Sequence, residues 1–179
     1  MQVQYATTPQ GERTDWPMAV DARPTRGLII GGVGSGKTET LCTLVAHAKN
    51  VGMDVWSCSG DGEDHGGVGM ELSQLNDRIR SYTGTRPILA VADEPSRWGP
   101  TDLDLADLER NPKVTVILTR RANAAPVVPL RDEDVLLDLG AGRSHGGPGR
   151  GIMRCISPGR QDGLQVAVDY LPHRPIARQ

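Results

Sequence analysis

Phenylalanine is absent from this 179-residue chain, and three tryptophans and three tyrosines bring the aromatic share to only 3%. The interior must therefore be assembled from Val, Leu, Ile and Ala, packed closely without large rings. Cysteine is almost as scarce. Cys42, Cys58 and Cys155 are odd in number, widely spaced and form no CxxC pair, which excludes a disulfide framework or a zinc site of ordinary spacing and points to a reducing, cytoplasmic setting. No apolar run approaches the roughly 18 to 20 residues of a membrane-spanning helix. The N-terminus lacks a signal-peptide hydrophobic segment, so no direct membrane insertion is expected and any recruitment to a membrane goes through a partner. Neither sign of charge is in excess: 20 Lys and Arg face 22 Asp and Glu, a formal net charge of −2. Contact with nucleic acid would then need a local patch or assembly into a ring. There is no repeat of solenoid length. The length suits one domain with a real core and is too short for two, so residues 1–24 read as a polar, Pro-punctuated lead-in and 25–179 as a single domain.

Glycine, by contrast, is plentiful, with 22 copies, and four of them fall in one short stretch. Gly31-Gly32-Val33-Gly34-Ser35-Gly36-Lys37-Thr38 fits the phosphate-binding pattern G-x-x-x-x-G-K-[ST] in full. An apolar run (Leu28, Ile29, Ile30) leads into it and a helical pattern leads out, which is the context the pattern requires. Such a loop turns its backbone N–H groups toward an anion, and the dipole of the following helix adds to the attraction. Lys37 supplies a point charge for the β- and γ-phosphates of a nucleotide, Thr38 offers a hydroxyl to Mg²⁺, and Glu39 completes the nucleotide-binding stretch.

The rest of the chain alternates strands and helices. Short strands are expected around Val3–Tyr5 and Pro17–Val20, packing as a lead-in on a sheet edge. After the Leu28–Ile30 strand, Leu41, Leu44, Val45 and Ala48 recur at helical spacing between Thr38 and Asn50. Asp54–Cys58 is a second core strand. Residues 59–67 are rich in Gly and acid and read as a loop; Asp61, Asp64 and His65 within it read as a solvated acidic turn rather than a metal site. Met70–Arg80 carries Leu72, Leu75 and Ile79 at helical spacing, and Pro87–Ala92 is a continuous apolar strand ending in Asp93-Glu94. A short helix with Leu105 and Leu108 starts at Thr101, and Lys113–Leu118 is a fourth strand that ends in Thr119-Arg120-Arg121. Asp134–Leu139 is a fifth. Ile152–Ile156 and Leu164–Asp169 form an antiparallel hairpin. Cys42 reads as core filling and Trp98 as a loop anchor. Strands alternating with helices through short loops specify an α/β fold with a parallel sheet and right-handed crossovers.

An apolar strand ending in two acids is the second half of a nucleotide-hydrolysing site. Asp93 can order the same Mg²⁺ as Thr38, and Glu94 can polarise the water that attacks the γ-phosphate. Arg120 or Arg121 could stabilise developing charge, within the subunit or across an interface, or both could be solvated arginines at a strand end.

In the order of these pieces the chain resembles the FtsK/SpoIIIE family of P-loop ATPases, of the HerA-FtsK type. The phosphate loop, Asp93-Glu94, Val114–Arg121, Leu139-Gly140-Ala141 and Pro148-Gly149-Arg150-Gly151 carry the likeness, over roughly residues 15 to 170. The last element and the hairpin after it are most similar to EccC-type secretion ATPase modules and actinobacterial plasmid-transfer translocases. The resemblance implies a RecA-like core with a mostly parallel sheet, ATP and Mg²⁺ as ligands, often a hexameric ring, and a motor acting on duplex DNA or secreted protein. It further implies Lys37, Thr38, Asp93 and Glu94 as phosphate ligand, metal ligand, metal-ordering acid and catalytic acid, with Arg120 at the γ-phosphate sensor. The chain departs from the family in having Thr119-Arg120-Arg121 where Thr-Gln-Arg is usual, and Ala122–Asp134 is too short for the family's additional strand. Three functions follow for test: a translocating ATPase, a nucleotide-dependent docking module that hydrolyses poorly, and a small phosphotransferase, against which the acid pair on a strand speaks.

Overall fold

The computed structural model describes residues 2–8, 10–17, 26–60, 64–94, 110–121, 134–139, 150–155 and 164–168. Among them are ten strands and two helices: β1 (Gln2–Thr7), β2 (Arg13–Pro17), β3 (Arg26–Gly31), α1 (Lys37–Asn50), β4 (Asp54–Ser59), β5 (Val68–Gly69), α2 (Leu72–Ser81), β6 (Ile88–Asp93), β7 (Val114–Arg121), β8 (Asp134–Asp138), β9 (Arg150–Cys155) and β10 (Leu164–Val168). The short helix expected from Thr101, Trp98, the 122–133 connection and the 140–149 and 156–163 segments lie outside the described residues.

All the strands join one sheet in the order β2-β1-β10-β9-β8-β3-β7-β6-β4-β5. The six from β8 to β5 are parallel. The remaining ladders are antiparallel, with β8 pairing β9, β9 pairing β10, β10 pairing β1 and β1 pairing β2. The expected α/β architecture is thus present: a mostly parallel, RecA-like sheet flanked by helices and extended by a C-terminal antiparallel hairpin. The hairpin is not the outer edge, because the N-terminal strands add themselves beyond it. β2 spans residues 13–17, and residues 18–20 of the strand expected at Pro17–Val20 lie outside the described residues.

The continuous apolar runs of β3, β6 and β7 follow from burial on both faces. One face sends Ile29, Leu89, Val91 and Ile117 against Leu41, Leu44, Val45 and Ala48 of α1. The other sends Leu28, Ile88, Ala90, Ala92, Val116 and Leu118 against Leu75 and Ile79 of α2. α1 stops as its sequence requires. Met53 N–H reaches Ala48 O at 3.0 Å and Gly52 N–H reaches Lys49 O at 3.0 Å, a two-bond C-terminal lock that turns the chain straight into β4. α2 begins with Gln74 Oε1 accepting from Glu71 N–H at 3.0 Å. Asn111 covers its C-terminal end, with Nδ2 donating to Ile79 O at 2.9 Å and to the O of the capping Tyr82 at 2.7 Å. No helix among the described residues is long and apolar enough to cross a membrane.

Candidate nucleotide site

The parallel order sets the site. β3 lies between β7 and β8, and β7 lies between β3 and β6. The C-terminal ends of β3, β7 and β6 therefore stand side by side, and in open α/β sheets that edge is where ligands bind. From the end of β3 the chain passes through 32–36 and enters α1 at Lys37. Gly34 and Gly36 have φ of 70° and 94°, left-handed values that a residue with a Cβ adopts only at a cost. They wrap the loop around the N-terminus of α1, where the first N–H groups have no intrahelical acceptor. Ser35 is buried within this loop, and its Oγ has no hydrogen-bond partner among the described residues. Val33 is exposed at the loop's crest and Glu39 is exposed on the first turn of α1. A glycine-lined turn, an orphaned buried hydroxyl and a helix N-terminus together fit a phosphate chain.

Lys37 points back into the loop. Its ammonium donates to Gly31 O at 3.2 Å and Gly32 O at 3.1 Å and lies 3.0 Å from Glu94 Oε1. All three of its donors are engaged, as a lysine only 5% exposed requires. Thr38 Oγ1 donates to Asp93 Oδ2 at 3.0 Å, so the hydroxyl and carboxylate expected to share a cation lie together. Both are hard oxygen donors beside a phosphate-binding loop, which is the donor set Mg²⁺ takes.

β7 supplies what joins the two acids. Thr119 Oγ1 donates to Asp93 Oδ1 and accepts from Glu94 N–H at 2.8 Å. That second bond clamps Glu94, which has φ of 38°, the one described non-glycine residue with positive φ. Glu94 Oε2 in turn accepts from Arg121 Nε at 2.9 Å. Burial opposes ionisation of Glu94, but Lys37 and Arg121, one on each carboxylate oxygen, outweigh it and hold its pKa below the ordinary glutamate value.

The two arginines separate. β7 runs on through Arg121, with Thr119, Arg120 and Arg121 registered against Ile29, Ile30 and Gly31. Side chains alternate along a strand, so Ile117, Thr119 and Arg121 share the face of α1 and the acids, and Arg120 shares the opposite face with Leu118. Arg120 is buried there. Arg121 is the arginine that touches Glu94. Reading the strand as ending at Leu118 hid this distinction; extending the alternation two residues would have exposed it.

The 59–67 loop also differs from expectation. Asp64 is exposed, as a solvated turn predicts, but His65 is 4% exposed, with Nε2 3.4 Å from Asp93 Oδ2. Cys42, expected to fill the core, is half-buried and faces His65. Glycine and acid content described the loop's composition and said nothing of its tertiary neighbours.

No family model and no curated protein sequence matches the chain. Solved structures do. One is an ATPase, with a TM-score of 0.60 and 15% identity over 95% of this chain and 87% of its own. Another is Thermomonospora curvata EccC, ATPases 2 and 3, in complex with a signal sequence peptide, with a TM-score of 0.60 and 13% identity over 96% of this chain. A third is the pCW3 conjugation coupling protein TcpA in its monomer form with ATPγS, with a TM-score of 0.61 and 12% identity over 93% of this chain. This chain spans 41% of the EccC chain and 65% of the TcpA chain. What these likenesses establish is architecture: the chain has the fold of the P-loop ATPases.

Proposed function

We propose that this chain is an FtsK/SpoIIIE-like module that binds ATP with Mg²⁺, hydrolyses it, and couples the cycle to movement of DNA or of a secreted protein. The observation that carries the reading is the meeting of Lys37, Thr38, Asp93, Thr119 and Glu94 at one end of the parallel sheet, reached from two strands and one helix. Gly31 to Glu39 cradle the nucleotide, and Lys37 exchanges its carbonyl and Glu94 contacts for phosphate oxygens. Thr38 and Asp93 hold Mg²⁺, which neutralises phosphate charge when bound. Glu94, held ionised, accepts the proton of the attacking water once it is released from Lys37. Arg121, rather than Arg120, is then the arginine placed to sense that release, while Arg120 serves as the buried partner of the opposite face. The structural likeness to a secretion ATPase and to a conjugation coupling protein supports a translocation role, at the cytoplasmic side of a membrane to which partners recruit the chain, and as a homo-oligomeric ring or docked on a larger complex.

One observation favours a slower variant. Both oxygens of Glu94 are committed, to Lys37 and to Arg121. If that pairing persists with nucleotide bound, the chain acts as an ATP-dependent docking module with weak turnover. Steady-state ATP hydrolysis, alone and with duplex DNA, with mass followed by light scattering, separates the two. Turnover stimulated by DNA together with ring formation supports the motor; tight binding by a monomer that does not turn over supports docking. In either case Lys37→Ala removes nucleotide binding and Glu94→Gln retains it; for the motor, Glu94→Gln also loses about 10²-fold or more in rate, the scale of a missing general base. Undiminished hydrolysis by Glu94→Gln refutes the assignment.

A further inference from the structure

Asp93 is the acid whose orientation matters most for a cation, because Mg²⁺ demands near-octahedral geometry at short distances. The χ2 torsion of an aspartate is broad, so a carboxylate keeps one orientation only if donors hold both its oxygens. Oδ1 is held by Thr119. Oδ2 accepts from Thr38, the hydroxyl that a cation would recruit, and lies 3.4 Å from Nε2 of His65, the other group at that oxygen.

His65 arrives there by construction. Its side chain is 1% exposed, and its Nε2 makes no hydrogen bond of good geometry among the described residues, leaving a buried polar atom aimed at Asp93. Its Nδ1 faces Cys42 Sγ at 3.8 Å, one turn along α1 from Thr38. A ring that accepts from the thiol at Nδ1 presents an N–H at Nε2, on the side of the carboxylate. Residues 64–67 are held in place around Gly66. Asp64 Oδ1 accepts from Gly66 N–H at 2.6 Å, and Lys49 Nζ donates to Gly66 O. Gly67 lies so close to β4 that a Cβ there would be 2.9 Å from Val55 Cγ1 and 3.0 Å from Val55 O.

We infer that His65 is a positioning residue for Asp93: from the β4–β5 loop it fixes the carboxylate orientation in which Asp93 and Thr38 can share a divalent cation. The inference rests on the MgATP reading of the site and adds to it a residue outside the phosphate loop and the acid pair. A partner one step removed from a metal tunes affinity by about 10- to 100-fold when deleted.

The test is binding of a fluorescent ATP analogue to the full chain in EDTA and in Mg²⁺, with Mn²⁺ binding followed by electron paramagnetic resonance. His65→Ala is expected to keep the parent's affinity in EDTA, which Lys37 and the loop determine, and to lose about 10-fold or more of the gain that Mg²⁺ brings. His65→Gln, which can place an amide N–H near the same point, should recover part of that gain and remains informative if the alanine variant fails to fold. A parallel loss with and without Mg²⁺ would mean that His65 only supports the fold, and an unchanged Mg²⁺ gain in both variants would also overturn the inference. Absence of nucleotide binding by the parent would remove the MgATP reading itself, a different result from either.

Discussion

Replacing Thr119 by valine exchanges one hydroxyl for one methyl at a position 1% exposed, and valine is the better strand former and the more apolar residue. Side-chain transfer alone predicts a gain of about 0.8 kcal/mol for the added carbon. The hydrogen bonds predict the opposite. Glu94 N–H loses its acceptor, at about 1 to 3 kcal/mol for a polar group left unsatisfied, and the Asp93 carboxylate loses a charge-assisted donor worth about 1.5 to 3 kcal/mol. Relaxation of Glu94 away from its left-handed φ returns roughly 1 kcal/mol. The net is a loss of about 1 to 4 kcal/mol, centred on about 2.5, which at a urea m-value of about 2 kcal/mol/M moves the unfolding midpoint down by about 1 M. Thr119→Ser keeps the hydroxyl and gives up only a methyl, near 0.8 kcal/mol. Urea unfolding followed by tryptophan fluorescence should therefore rank the parent first, serine second and valine last. ATP turnover should follow the same order, because valine also frees the backbone that carries Glu94. A valine variant as stable as serine, or more so, would refute the bridging role of Thr119.

The pH dependence of stability carries a second signature. Since the folded-state pKa of Glu94 is depressed, its contribution is fully present above the ordinary value of 4.5 and is lost as pH falls through the lower folded value. Glu94→Gln should flatten that part of the acid limb in a series of melts. Asn111→Ala removes the side-chain donor to Ile79 O and Tyr82 O at the end of α2 and leaves Lys113 N–H without the Asn111 Oδ1 acceptor, so denaturation should show a loss of about 2 kcal/mol with the site's nucleotide affinity intact. The thiol of Cys58, pushed up to about 11 by burial first and by the nearby Glu71 charge second, should resist iodoacetamide at neutral pH until the chain unfolds, as peptide mass mapping would show.

Legibility in the sequence followed the range of each interaction. Leu28–Ile30, Pro87–Ala92 and the Leu41/Leu44/Val45/Ala48 stripe are local patterns that burial writes directly into residue choice, and they became β3, β6 and α1 within a few residues. The phosphate loop is equally local, since its glycines answer to backbone angles. β1 gave a weak signal because Gln2–Thr7 holds few apolar residues to mark a strand, and one of its two partners, β10, is far away in the chain. His65 gave none, because nothing in Ser59–Gly67 encodes the Asp93 it approaches. The arginines fell between these cases: the alternation that divides Arg120 from Arg121 was present, but it becomes readable only once β7 is known to continue past Leu118.

Ala6 pairs with Val168. Together with Thr7 against Ala167, that rung joins segments far apart in the sequence, so this edge of the sheet is complete only when residues 2–17 and 164–168 meet. The parallel ladders from β8 to β5 need nothing outside residues 26–138, and closing their shorter loops costs less entropy. Sequence separation thus divides the sheet: the ladders from β8 to β5 close within residues 26–138, while the β1–β2 hairpin rests on α1 and reaches the rest of the sheet only across β10.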